Sequence, residues 1–389
     1  MVLLASLSAI GSISVDLYLP ALPTIQRSFT TSAATAQYTM VFFLIGTAVG
    51  MLSWGPISDR FGRKPPLYVS IGLYIAVSAG CALAPSIGVM IGLRFLQALC
   101  ASAGAVIGRA IVRDLFHGLQ AARVYATIML TFAIAPMIAP VVGSYLLIVS
   151  GWPSIFWAEV CFASIILVAM HLLLRESRDL GHARPLSFGR TLRGYASLLV
   201  DGHYAPYALG AAFGTGSLLV FIAVSSQIFI RIYGITPQLY GWLFGLSAVG
   251  VMISARVASH LHHRVGVAQV LRGAFVLQTA IGYCVLLLWL VDGGVWTFAV
   301  SAFLFLSLIG AIAPSTTALA MESQPHRGGI ASALIGALQC LAGAVGTVLV
   351  GLMPDSTALP LILVMVAFST IGLAINFYAA PSQPQEARG

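Results

Sequence analysis

Gly55-Pro56-Ile57-Ser58-Asp59-Arg60-Phe61-Gly62-Arg63-Lys64 separates two long apolar runs, near 37 to 55 and 67 to 85. One acid, three bases and two glycines in ten residues cannot continue either run. Gly55 and Gly62 allow a tight turn and a close approach of helices. Asp59 is available to pair with the neighbouring arginines or with the N-terminus of a facing helix. The stretch therefore reads as a short charged turn between two segments long enough to cross a bilayer, which takes about 20 apolar residues. Outward from it, cuts at Pro, Gly and charge clusters give further apolar segments near 2 to 22, 87 to 111, 124 to 149, 153 to 174, 204 to 230, 238 to 258, 268 to 291, 295 to 319, 328 to 352 and 358 to 378. Six lie before a polar stretch, Arg175 to Asp201, and six after it.

The composition agrees. Of 389 residues 59% are hydrophobic and 8% charged, with a mean hydropathy of +0.98, whereas soluble domains carry roughly 25% charged residues. A large soluble catalytic domain is excluded, and the expected fold class is an all-α integral membrane protein. Lys64 is the single lysine and Pro65 follows it, so no G-x-x-x-x-G-K-[ST] loop exists to bind a nucleotide. Neither H-E-x-x-H nor G-x-S-x-G occurs. No enzyme, cofactor or metal is expected. Cys81, Cys100, Cys161, Cys284 and Cys340 lie in apolar stretches without C-x-x-C spacing and read as small packing residues. Val2 to Leu19 reads as a retained first span, because no base precedes Arg27 and no A-x-A cleavage site follows.

The net charge of +8 is a membrane signal and not a nucleic-acid one. Alternating the loops puts 16 of the 19 bases on one face, leaves Arg27 and Arg231 on the other, and leaves Arg94 inside a span. By the positive-inside rule the first face, which includes both termini, is cytoplasmic. The polar stretch holds five arginines, Pro185 and one histidine and is the natural linker. The expected division is 1–174, a cytoplasmic linker 175–203, and 204–389. The halves also resemble degenerate copies: Asp59-Arg60-Phe61-Gly62-Arg63 follows the second segment and His263-Arg264-Val265-Gly266 the eighth. Parallel six-span halves around a midplane cavity are the architecture of secondary transporters.

The stretch at 55–64 resembles the G-x-L-a-D-R-x-G-R-[RK] signature of the major facilitator superfamily, between spans two and three. Arg94-Phe95-Leu96-Gln97-Ala98 is similar to the family's R-x-x-Q-G, with Ala98 in place of glycine. Ala135-x-x-x-Ala139-Pro140-x-x-Gly143-Ser144 is similar to its G-x-x-x-G-P-x-x-G-G antiporter motif, with alanine or serine at three glycine positions. The runs Asp16 to Pro23, Arg109 to Phe116 and Ala331 to Gln339 look like the Bcr/CflA drug-resistance branch. The resemblance implies two pseudo-symmetric six-helix bundles in a bacterial inner membrane, exporting drugs or related small molecules in exchange for protons. It also implies a cytoplasmic gate at Gly55, Asp59, Arg60, Gly62, Arg63 and Arg113. A proton-coupled importer, or an exporter of one specific metabolite, is the alternative. The expected partners are a small-molecule substrate, protons and the bilayer, with no nucleic acid, and the chain is expected to be a monomer.

An ionisable side chain within a span costs about 2.5–3.5 kcal/mol on insertion scales, so each such residue is a functional candidate. Asp16 lies about 21 Å along span one, at 1.5 Å per residue, which is past the midplane. A carboxylate that titrates on access to either side is what proton coupling requires; a helix cap near Pro20 is the plainer reading. Arg94 cannot release its proton, so it holds a carboxylate, a substrate oxygen or backbone carbonyls; it is expected near Asp16. Glu159 is either a second proton site or an outer-interface residue beside Trp152 and Trp157, and the interface reading is preferred. Tyr18, Gln97, Gln227 and Gln339 join Asp16 and Arg94 as substrate-cavity candidates, and Gln278 is a further amide that either meets substrate or joins helices. Pro136 and Pro140, with Ala139 and Gly143, should bend span five. His260, His262 and His263 read as a solvated loop, and Glu322 with Arg327 as a gate pair in the second half.

Overall fold

The computed structural model describes residues 1–174, 176, 188–291, 294–325, 327–354 and 356–378. Among these residues there is helix and no strand. Twelve helices are long and apolar enough to cross a bilayer: Val2–Ser28, Ala33–Phe61, Lys64–Ala82, Ile87–Leu115, Gly118–Ser150, Pro153–Leu173, Tyr204–Ile232, Pro237–Val265, Val267–Val291, Val295–Glu322, Gly328–Gly351 and Leu359–Phe377, here spans 1 to 12. All twelve expected segments are present.

Local chemistry sets the ends. Ser32, Ser86 and Thr236 cap spans 2, 4 and 8 by accepting a hydrogen bond from the backbone N–H three residues on. Pro153 and Pro237 occupy first-turn positions, where the missing N–H has no partner to lose. Spans 2 and 8 are both 29 residues long and both stop at a glycine of positive φ, Gly62 at 87° and Gly266 at 88°. The internal repeat is thus matched in backbone conformation, although few side chains survive from one copy to the other.

Packing repeats as well. Span 1 lies on span 5 as span 7 lies on span 11, span 2 on span 4 as span 8 on span 10, and span 3 on span 6 as span 9 on span 12. The halves meet where span 2 packs on span 11 and span 5 on span 8. Spans 1, 4 and 7 are the most enclosed, with 61%, 61% and 67% of their apolar windows buried, against 28% for span 8. Large apolar side chains such as Ile165, Val168, Leu287 and Leu290 are exposed and suit a lipid-facing surface.

Two features depart from the expected pattern. Span 1 is not one continuous helix: its first piece ends at Asp16, a short 3-10 turn runs Leu19–Ala21, and helix resumes over Leu22–Ser28. Pro20 and Pro23 lack the N–H groups needed to continue the ladder. The polar connection also contains a helix, Phe188–Leu199, with Tyr195 and Leu198 buried on one side. Tyr195 Oη donates to the Leu52 carbonyl of span 2 at 3.0 Å, and Arg327 Nη1, just before span 11, donates to Ser197 at 3.3 Å. A stretch read for its arginines and Pro185 therefore supplies an amphipathic strap touching both halves. Arg175, Arg178, Arg184 and Arg388 lie outside the described residues.

Candidate functional site

Arg94 in span 4 is fully buried. Its guanidinium sits 4.2 Å from the Phe43 ring centroid, 4.3 Å from Tyr18 and 5.9 Å from Phe156, so aromatic faces take the place of water around the charge. Nη1 donates to Gln97 Oε1 at 2.7 Å, and both terminal nitrogens reach the Ser14 carbonyl at 3.3 and 3.4 Å. Gln97, one helical turn further along span 4, turns its amide nitrogen the other way, donating to Glu159 Oε2 at 2.6 Å and to Ser78 at 2.7 Å. Span 4 thus presents an arginine and a glutamine at i and i+3 on one face, and Gln97 links the cation to the span 6 carboxylate.

Glu159 is 1% exposed, which overturns its outer-interface reading. It lies about two turns into span 6, inside the bundle, with Oε1 lacking a hydrogen-bond partner. Trp157, two residues earlier, is 45% exposed and faces outward. The alternation along one helix separates the residue that meets the lipid boundary from the one that joins the relay.

Asp16 is 4% exposed and its Oδ2 has no hydrogen-bond partner. The described ion pairs do not include one between Asp16 and Arg94; Arg94 takes the Ser14 carbonyl instead. Of the partners open to Arg94, it thus holds a backbone carbonyl in place of the Asp16 carboxylate. Asp16 ends the first helical piece, beside Leu17 and Tyr18, which share an apolar cluster with Tyr240 and Phe244 of span 8. Tyr18 Oη shares a 2.7 Å hydrogen bond with Thr39. A side chain at Gly143 of span 5 would collide with the Leu17 carbonyl, and one at Gly241 of span 8 would come within 3.0 Å of the Pro140 carbonyl. The Ala139, Pro140 and Gly143 segment is thus a close-packed seam joining spans 1, 5 and 8 near Asp16. Helix continues through Pro136 and Pro140 from Gly118 to Ser150.

The charged turn forms a second cluster. Arg63, 2% exposed, donates from Nη1 to Asp59 at 2.8 Å and to Ser58 at 2.9 Å, and from Nε to Asp114 of span 4 at 2.8 Å. Burial works against its charge, but the bonds to Asp114 and Asp59 outweigh that and hold its pKa above the usual value. Glu176 accepts the backbone N–H groups of Arg63 and Lys64, one on each oxygen, both at 2.9 Å. A carboxylate at the start of span 3 satisfies orphan amides and complements the helix dipole. Arg60 is exposed. A side chain at Gly55 would meet open space, whereas at Gly62 it would strike the Glu176 carboxylate at 2.9 Å. Arg113 Nη1 lies over Gly329 in the first turn of span 11, so this end of span 4 faces the second half.

Sequence reasoning missed Asp114, Glu176, Ser78 and Ser14. Asp114 stood in a quoted motif, and Glu176 was one of three acids within an arginine-rich run; neither signal said what it would pair with. The second-half candidates separate. Gln339 Nε2 donates to Thr215 of span 7 at 3.3 Å, Gln278 Nε2 donates to the Phe305 carbonyl at 3.4 Å, and Gln227 lines a cavity at the far ends of spans 2, 7 and 11. The described ion pairs do not include Glu322 with Arg327, which overturns that gate pair; Arg327 is drawn to Ser197. His262 shares a 2.9 Å hydrogen bond with Ser315. Cys81, Cys100 and Cys340 are buried, but Cys161 and Cys284 are exposed on spans 6 and 9 and are not core packing.

With twelve spans in two equivalent sets and this charged turn, the architecture is that of a secondary transporter. The sequence profile of the Major Facilitator Superfamily matches residues 4–347, and the chain belongs to that family. It is 33% identical over 372 residues to an uncharacterized MFS-type transporter of Bacillus subtilis (strain 168), covering 95% of this chain and 92% of the relative. It is 30% identical over 388 residues to a bicyclomycin resistance protein homolog of Haemophilus influenzae, covering 99% and 97%. It is 29% identical over 392 residues to a chloramphenicol resistance protein of Pseudomonas aeruginosa, covering 96% and 89%. Among solved structures, a bacterial homolog of the human lysosomal transporter Spinster superposes with a TM-score of 0.75 at 14% identity, covering 97% and 95% of the two chains. A D-xylose-proton symporter gives 0.74 at 15%, covering 98% and 97%. These two similarities concern the fold alone.

Proposed function

We propose that the chain exports drugs or related small molecules from the cytoplasm in exchange for protons, by alternating access between a half at 1–174 and a half at 204–389 joined by 175–203. The reading places it as a monomer in a bacterial inner membrane with both termini cytoplasmic. Similarity along nearly the whole chain to proteins named for bicyclomycin and chloramphenicol resistance supports the substrate class.

The observation that carries the coupling step is the pair of buried carboxylates, Asp16 and Glu159, each with one oxygen lacking a hydrogen-bond partner. A carboxylate cut off from water is costly unless it is protonated, paired or hydrogen-bonded. Glu159 has Gln97 and, beyond it, Arg94; Asp16 stands at the seam with span 8, where parting of the halves would open it. In this reading Asp16 exchanges its proton with the medium as the seam opens, and Arg94 with Gln97 keeps the first half rigid and biases Glu159. Asp59, Arg63, Asp114 and Glu176 brace the cytoplasmic turn, with Arg113 bearing on span 11 as the gate closes.

The test is uptake of chloramphenicol and of tetraphenylphosphonium into inverted vesicles under an imposed inside-acid gradient. Wild type should accumulate at least one of them and lose the accumulation with an uncoupler, and Asp16→Asn should be inactive. Persistent accumulation in Asp16→Asn moves the proton site to Glu159. Gradient-driven efflux from the same vesicles would establish an importer and overturn the export reading.

A further inference from the structure

The ends of spans 2, 7 and 11 that carry Arg231 and Ser32 enclose a cavity of about 280 Å³, close to the lower end of the roughly 300–1,000 Å³ of small-molecule sites. In the orientation proposed above it opens on the outer face. Gln37 comes from the first half, and Gln227 and Gly351 come from the second. Gln37 is 5% exposed and Gln227 4%. Gln37 Oε1 and both amide atoms of Gln227 have no hydrogen-bond partner. Burying such groups unpaired is unfavourable, and most buried polar atoms in folded proteins avoid it.

The backbone is also unusual here. At Gln227 the helix of span 7 passes into a π-helical turn, Gln227–Ile232, with the Tyr233 N–H reaching back five residues to the Ile228 carbonyl at 3.0 Å. Such turns are rare and concentrate at functional sites. A side chain at Gly351 would stand 3.5 Å from Gln37 Oε1, so the glycine keeps the space beside that oxygen clear. Arg231 also lines the mouth. Two acceptor oxygens and an amide donor match an uncharged ligand bearing both donors and acceptors, whereas a lipophilic cation that carries neither finds no partner in the two amides.

We infer that this cavity is an exit-side subsite of the export reading, on which the inference rests, and that it binds uncharged molecules rich in amide and hydroxyl groups between Gln37 and Gln227. A ligand held by one amide from each half bridges the two bundles just before release. A lipophilic cation crosses without using it.

The test is equilibrium binding to the purified full chain in lipid nanodiscs, with chloramphenicol as the neutral probe and tetraphenylphosphonium as the cation. Gln37→Leu and Gln227→Leu should each weaken chloramphenicol binding about tenfold, the worth of one hydrogen bond. Gln227→Asn should weaken it less, and all variants should bind the cation within twofold of wild type, which also reports that they are folded. Should Gln227→Leu not fold, Gln37→Leu decides. Unchanged chloramphenicol binding, or equal weakening of both probes, overturns the subsite. Wild-type binding of the cation alone overturns the assigned ligand class while leaving drug export standing. Binding of neither probe, together with no vesicle uptake, overturns the export reading and the subsite with it.

Discussion

The two halves share a backbone plan and differ in where they keep charge. Spans 2 and 8 have the same length and end in glycines of nearly the same φ. After Gly62 the chain enters a cluster of Asp59, Arg63, Asp114 and Glu176; at Gly266 an added side chain would meet only the Gln269 side chain. Span 4 buries Arg94 against Gln97, whereas the buried polar residues described in its equivalent, span 10, are Ser301, Ser315 and Thr316, and those in spans 7 and 9 are serines, Gln227, Gln278 and Thr279. Equivalent helices can be packed by small and apolar side chains alone, so the fold does not explain the charges of the first half. In the reading proposed above they belong to the half that handles protons, while the neutral amides of the second half suit ligand recognition.

The largest effect should come from Arg94. Arg94→Leu leaves Gln97 Oε1 and the Ser14 carbonyl without their donor and Glu159 without a cation in reach, a loss of about 3–5 kcal/mol for a broken buried charge network. Thermal unfolding should show it, and vesicle transport should fall below detection. Arg94→Lys should also fail, because a compact ammonium lacks the flat, forked guanidinium that lies over three aromatic rings while donating to Gln97 and Ser14. The counterpart is Gln278→Leu in span 9, whose bond to Phe305 is 3.4 Å long; it should cost under about 1.5 kcal/mol and leave transport near wild type. Equal losses from the two substitutions would break the asymmetry.

Next come the two glycines. Gly62→Ala and Gly266→Ala place a side chain at the same positive φ, which alone costs about 1–3 kcal/mol. At Gly62 the new Cβ also meets the Glu176 carboxylate, fixed by two backbone amides, whereas at Gly266 it meets the end of the Gln269 side chain, which can move. Gly62→Ala should therefore lower the unfolding temperature more and slow transport, with Gly266→Ala milder on both. Smaller again, Glu176→Gln replaces one carboxylate acceptor by an amide donor facing an N–H, costing about 1.5–3 kcal/mol for bonds to a charged group. Hydrogen exchange at the start of span 3 should rise.

The sequence disclosed what depends on length and order: twelve spans, their approximate limits, the turn at 55–64, and Asp16, Arg94 and Glu159 as ionisable residues deep within spans. It did not disclose partnerships. Asp16 and Arg94 are at comparable depth along their helices, yet Arg94 turns to Ser14, Gln97 and the aromatic rings; helix depth fixes height in the membrane and leaves rotation about the axis open. Trp152 and Trp157 suggested an interface for Glu159, but rotation between positions 157 and 159 sends one side chain outward and the other into the bundle. The strap at Phe188–Leu199 was hidden because its buried Tyr195 and Leu198 are outnumbered by polar neighbours. Gln37 was not singled out, because an amide near a span end has no signal until an opposing amide is seen across a cavity.

The smallest effect concerns the second half's own tie at the corresponding end. Asp201 precedes span 7 and accepts the Tyr204 N–H at 2.8 Å and the His203 N–H at 3.0 Å, and its other oxygen accepts from Gln324, just beyond span 10, at 3.0 Å. The Tyr204 bond is the main reason its carboxyl is held below the usual range; partial burial opposes the shift, and the bonds from His203 and Gln324 add to it. A depressed folded-state value stabilises the ionised protein above the unfolded pKa of about 3.9, and that contribution is lost as pH falls through the folded value. Asp201→Asn should therefore unfold slightly earlier than wild type at neutral pH, by no more than about 0.5 kcal/mol after solvent screening, and the difference should vanish in acid. Transport at pH 7 should be unchanged. This tie joins the start of span 7 to the end of span 10 with one acid and no arginine, whereas the first half uses Arg63 to join its turn to the end of span 4. A large transport defect in Asp201→Asn would mean that charge at this end of the bundles matters equally in both halves, and the division of labour drawn from their asymmetry would fall.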